Sequence, residues 1–193
     1  MKLHYIGIIR NATTPSYELV SEKELSSYSR FTRNNYGEFM TVFSRTVAER
    51  TRPGQRQDVE EQDFTFHAYG RSEGVCGIII SDHAYPALVA HQLLSKVVDE
   101  FLESNPRSSW ETGEPKLVFP ALKGYIEKYQ ADSILKIQKE LDETKIVLHK
   151  TIESVLQRGE KIDDLVQKSD GLSAQSKMFY QQAKKTNSCC VIM

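Results

Sequence analysis

Between Ile134 and Thr186 the seam positions recur at alternating steps of three and four: Ile134, Ile137, Leu141, Thr144, Leu148, Thr151, Val155, Arg158, Ile162, Leu165, Ser169, Leu172, Ser176, Phe179, Ala183 and Thr186. The alternation never slips, so the period is 3.5 and the pattern predicts a left-handed coiled-coil helix. As one helix the segment would be roughly 80 Å long. A compact domain made from the rest of the chain would have a radius of gyration of about 14 Å. Such a ribbon needs a partner, or must break and fold back. Thr144, Thr151, Arg158, Ser169, Ser176 and Thr186 make the seam part polar, and a weak seam adds little to a helix that is marginal alone. The segment is therefore expected to be largely disordered by itself and to fold on binding. Arg158 lies between Val155 and Ile162 on the seam. A buried guanidinium needs acceptors, and self-pairing would stack this one on its own copy. The pattern favours a partner with amide or carboxylate oxygens at that layer, where a polar group can set register.

The first two thirds read differently. Leu3–Arg10 predicts a strand with Leu3, Tyr5 and Ile9 on one face and Ile6 and Ile8 on the other. Tyr17–Val20 predicts a short second strand, and 21–35 is polar and irregular. A helix is expected from an N-cap at Asn34 or Asn35, with a stripe of Tyr36, Phe39, Met40, Phe43 and Val47, stopped by Pro53-Gly54. Residues 55–61 predict a polar strand near an edge, 64–69 a half-buried strand, and 75–80 a central strand covered on both faces. A second helix after Pro86 carries Leu88, His91, Leu94, Val98, Phe101 and Leu102; a loop with Trp110 follows, then a short helix ending near Gln130. Hairpin-linked strands with amphipathic helices imply an α+β domain over 1–130, an antiparallel sheet with both apolar faces covered.

Composition narrows the class. With 25 Lys and Arg against 26 Asp and Glu, there is no basic field for nucleic acid. Three cysteines do not make a disulfide framework, and no run of about twenty apolar residues could span a bilayer. Met1–Ile6 is too short and interrupted for a signal peptide. These features suit the cytosol. There is no phosphate-binding G-x-x-x-x-G-K-[ST] loop. Histidines at 4, 67, 83, 91 and 149 have no metal-ligand spacing, and Cys76 reads as an inert core thiol. No nucleophile, base and acid can be assembled, so no enzyme, cofactor or metal is expected. The end is more specific: Cys190-Val191-Ile192-Met193 fits a C-a-a-X box, whose terminal Met favours farnesyl on Cys190. Cys189 is placed for a second lipid, palmitoyl or prenyl. A single chain anchors only reversibly, while two hold.

Val155–Val166, with Arg158 at its centre, resembles the middle of an R-SNARE motif. The resemblance implies a four-helix bundle in which Arg158 meets three glutamines, one from each Q-SNARE helix. The layers implied are Leu141, Leu148, Val155, Ile162, Leu165, Leu172 and Phe179. The N-terminal order resembles a longin domain, a profilin-like fold with a five-stranded antiparallel sheet between one and two helices. Gln138–Glu153 and the doubled cysteine resemble the prenylated longin R-SNAREs, which lack a transmembrane helix. The expected organisation is a longin domain over 1–130, an R-SNARE motif over 131–187 and a lipidated tail over 188–193.

By that resemblance the protein is a v-SNARE that drives fusion at Golgi, ER-derived, endosomal and vacuolar membranes. It would be taken apart afterwards by the SNARE disassembly ATPase and its adaptor. The resemblance also implies a closed cytosolic form with an intramolecular longin–SNARE contact. Tyr36, Phe39 and Phe43 are the residues proposed for a groove that takes the folded-back segment and lipid. Two other classes stay open: a prenylated coiled-coil tether without fusion activity, and an acyl-group-handling enzyme on the longin fold.

Overall fold

The computed structural model describes residues 1–130 and 145–188. Five strands of the N-terminal domain, β1 (Leu3–Arg10), β2 (Tyr17–Lys23), β3 (Arg56–Glu61), β4 (Phe64–Gly70) and β5 (Val75–Asp82), pair antiparallel. A sixth strand, β6 (Val147–His149), joins the β3 edge in parallel, giving the order β2-β1-β5-β4-β3-β6. The interior strands β1 and β5, which pair with each other, are buried along almost their whole length, as their apolar runs require.

Helix α1 (Arg33–Glu49) covers one face; α2 (Ala87–Ser104) and α3 (Ala121–Lys128) cover the other. Tyr5, Ile9, Cys76, Ile78, Ile80 and Phe66 pack with α1, while Ile6, Ile8 and Ile79 pack with α2 and α3. Leu3 is a correction: it joins the α2 side and not Tyr5, because the β1–β5 register shifts between Leu3 and Tyr5. A one-residue slip sends a side chain to the opposite face. Gly77 brings α2 close to β5, since a Cβ there would lie 2.6 Å from Val98. On α2, Leu88 is 37% exposed and the buried stripe instead includes Val89, Leu93 and Val97. Trp110, in the connection to α3, is a core residue whose Nε1–H donates to Asn105 O at 3.2 Å.

Helix α1 begins one turn's edge earlier than expected. Thr32 is its N-cap without a side-chain hydrogen bond, and Asn35 lies buried inside the helix. The polarity that made Asn35 look like a cap serves a contact with the C-terminal segment.

That segment is not one straight helix. After β6 come a 3-10 turn (Ile152–Val155), α4 (Ile162–Lys168) and α5 (Ala174–Ser188), all laid along the N-terminal domain. Of the two options open to the seam, the structure takes the fold-back. The segment is not alone here: over 145–188 it folds against an apolar surface that the chain itself supplies, α1 and the β3 edge.

Candidate functional site: the face of α1 under the C-terminal segment

Each turn of the wrapped segment is fastened by a backbone or side-chain bond. β6 pairs Val147, Leu148 and His149 with Gln57, Asp58 and Val59, covering an edge that would otherwise present free backbone groups. Thr151 and Ser154 form a reciprocal capping box over the 3-10 turn. Ile152 is fully buried, and its N–H donates to Glu61 Oε2 at 3.0 Å. Gly159 takes φ +91°, a left-handed conformation suited to glycine, just before α4. Arg50 on α1's C-terminal end grips Glu160 through one nitrogen at 3.2 and 3.0 Å.

Further along, Ile162, Val166 and Leu172 enter the cluster built on Phe39, Met40 and Phe43. Ser173 N–H donates to Glu38 Oε2 at 2.7 Å. Ser176, fully buried, donates through Oγ to Asn35 Oδ1 at 3.1 Å, so a polar seam position is satisfied by a polar residue of α1. Helix α5 ends the contact with rings: Phe179 lies 5.8 Å from Tyr36, edge on, and Tyr180 lies 5.9 Å from Phe39. Tyr180 OH donates to Asp163 Oδ1 at 3.0 Å, and Lys184 pairs with Asp163, tying α5 to α4. Burial and the Asp163 charge push the Tyr180 phenol well up, so it stays a donor.

The predicted residues fall into three groups. Phe39 and Phe43 are buried, and with half-buried Tyr36 they line the α1 side of an apolar cavity closed by Phe179 and Tyr180. That cavity has about 80 Å³ left in it. Of the seam layers, Ile162 and Leu172 are buried, Val155, Leu165 and Phe179 are half-buried, and Leu148 is 53% exposed. Arg158 is also exposed. Leu141, Cys189 and Cys190 lie outside the described residues. Ile152 and Val166, fully buried here, are not seam positions at all. The wrapped segment thus buries a set of side chains that only partly overlaps the one a coiled coil would bury.

The fold also assembles a cluster invisible in the spacing. Asp58 on β3, His67 on β4 and His91 on α2 are all buried. Asp58 Oδ1 accepts from His67 Nδ1–H at 2.8 Å and from His91 Nε2–H at 2.7 Å; Ser81 Oγ lies 2.9 Å from His67 Nε2. Burial pushes the Asp58 carboxyl up, but the two imidazole bonds outweigh it and bring it down to about 2. Burial holds His91 below its ordinary 6.5 despite the carboxylate beside it. The three atoms that could ligate a metal lie within 4.8 Å of one another, yet they already engage each other. Alternation in β3 and β4 could have hinted at facing polar positions; only the α2 packing brings in His91.

Among the described residues no helix is long and apolar enough to cross a membrane. Residues 25–126 match the Longin family model, described as a regulated-SNARE-like domain, and residues 133–191 match the Synaptobrevin model. The chain is 58% identical over 196 residues to the Synaptobrevin homolog ykt6 of Schizosaccharomyces pombe, covering all of both chains. It is 53% identical over 201 residues to the Synaptobrevin homolog YKT6 of Saccharomyces cerevisiae, again over the full length of both.

Proposed function

The chain belongs to the longin-domain synaptobrevin family of SNARE proteins, which are not enzymes and act as R-SNAREs, and from that premise we propose that it exchanges its own α1 for three Q-SNARE helices. The seam from Ile134 to Thr186, with Arg158 among apolar layers, would zipper with them from its N-terminal end toward the tail. Arg158 would meet three neutral glutamine side chains, fixing register and later offering a foothold for the disassembly ATPase and its adaptor. Burial of Leu141, Leu148, Val155, Ile162, Leu165, Leu172 and Phe179 supplies the free energy. Farnesyl on Cys190 and a second lipid on Cys189 pass the resulting pull to the membrane. Transport among ER-derived vesicles, Golgi, endosomes and vacuole is the setting.

The observation that carries this reading is the double use of one ribbon. Ile162, Leu172 and Ser176 are seam positions, and all three are buried against α1 in the wrapped chain. They cannot face α1 and a Q-SNARE bundle at once, so wrapping competes with zippering. The wrapped form is the cytosolic one, and the groove of Tyr36, Phe39 and Phe43 shelters both segment and lipid. With only about 80 Å³ free, a farnesyl chain enters the groove by displacing part of α5.

Phe39→Glu tests this. A carboxylate in that cluster is costly unless it meets water, so the segment should come off. The variant is expected to bind three Q-SNARE segments faster, forming an SDS-resistant four-chain complex, and to shift toward membranes in cells. Unchanged partitioning and binding would remove the competition; a two-chain coil would favour a tether.

A further inference from the structure

A second concave surface opens on the far side of the wrapped segment, between β6 and the α1–β3 connection. It is an open depression of about 600 Å³ lined by Arg50, Arg52, Arg56, Lys145 and His149, with no carboxylate in its lining. The whole chain carries as many acids as bases, so this lining is a local departure. Arg56 turns its guanidinium away, stacking 3.6 Å over Tyr69 and donating to His91 O and Ser95 Oγ. Arg50 gives one terminal nitrogen to Glu160, but its buried Nε has no partner. The side chains of Arg52 and Lys145 are exposed and form no ion pair among the described residues. Arg52 does not sit on a loose loop. Gly54 N–H donates to Gly70 O at 2.8 Å and Gly70 N–H to Gln55 O at 3.0 Å, tying the turn to β4.

We propose that this cavity binds a small polyphosphate of the inositol-phosphate kind, free or as a lipid headgroup. Cations converge on it from two separate segments, which suits several phosphates better than one monoanion. No Phe, Tyr or Trp lines it, so it lacks a platform for a nucleobase. Arg50 and Arg52 belong to the N-terminal domain; Lys145 and His149 belong to the wrapped segment. A ligand bridging them binds the wrapped chain and not the unwrapped one, and so holds it wrapped by mass action. This inference rests on the wrapped contact alone and not on what the released segment then binds.

The test uses the full-length, unlipidated chain. Inositol hexakisphosphate is titrated by calorimetry at low and high salt, and flotation is measured with phosphatidylcholine vesicles with and without a phosphatidylinositol bisphosphate. Binding of the free compound alone identifies a soluble ligand; flotation as well identifies a headgroup. Each charge-assisted bond is worth about a factor of ten or more, so Arg52→Glu with Lys145→Glu should lower affinity about a hundredfold. Both residues are exposed, so the fold tolerates the change. Lys123→Glu with Lys128→Glu on α3 should leave affinity unchanged. Phe39→Glu, with unwrapping verified by hydrogen exchange over 145–185, should bind at least tenfold more weakly. No binding by either probe, or binding undiminished by the Arg52 and Lys145 changes, overturns the site. Equal affinity in the unwrapped variant overturns the bridging role.

Discussion

His91 and Asp58 make stability depend on pH in a calculable direction. In the fold, burial holds His91 below 6.5 and the two imidazole bonds hold Asp58 at about 2, below its ordinary 3.8. In both cases the unfolded chain binds more protons, so stability rises with pH. The His91 contribution is complete above about 6.5 and is lost as pH falls through its lower folded value; the Asp58 contribution goes between about 4 and 2. His4 is also depressed, chiefly by burial, and acts with His91. His91→Gln keeps an N–H donor without a titrating ring. It should flatten, though not abolish, the decline in denaturation midpoint between pH 6.5 and 5, measured by urea unfolding at closely spaced pH values. An unchanged slope would mean that His91 does not titrate in this range.

At the scale of elements, the wrapped segment and the coiled-coil seam share residues only in part, which lets mutations separate them. Ile152 is fully buried under the 3-10 turn but faces away from the seam. Ile152→Ala should cost the wrapped form about 2–4 kcal/mol and leave the bundle layers intact. Q-SNARE binding should therefore quicken while the melting of the finished complex stays the same. Leu172 serves both arrangements, so Leu172→Ala should loosen the wrap and lower the melting of the complex together. Identical behaviour of the two variants in stopped-flow binding and thermal denaturation would contradict this division. The wrap suits such switching. Its strand has three residues and α4 has seven, lengths that do not persist without the surface beneath them.

For the molecule as a whole, the proposed release of the segment would move Arg158 from water, where it lies in the wrapped chain, to the interior of a bundle. A cation that costs little in water becomes expensive once enclosed without acceptors. Arg158→Leu is thus expected to leave the wrapped chain's stability nearly unchanged, since the side chain is exposed there, and still to permit assembly with Q-SNARE segments. The assembled product should show mixed register by disulfide trapping and slower release by the disassembly ATPase. A uniquely registered, normally recycled product would take the central layer out of the account.

The succession of strands and helices along the N-terminal domain, the doubly buried β1 and β5, the α1 stripe and the 3.5-residue seam were all legible in the chain, because each rests on local periodicity and side-chain polarity. The tail's C-a-a-X pattern is likewise a short local motif, and the lipid it would carry is part of the proposal. Other features depend on pairings between distant residues, which periodicity does not encode. The Leu3 reversal comes from a bulge against β5, Asn35 meets Ser176 across 141 positions, and His91 reaches Asp58 only through the packing of α2. The seam itself allowed both a straight partnered helix and a broken, wrapped one. Only the tertiary fold decides between them: α1 and the β3 edge offer the segment an apolar surface and open hydrogen bonds, and a marginal helix yields to the nearest surface that satisfies both.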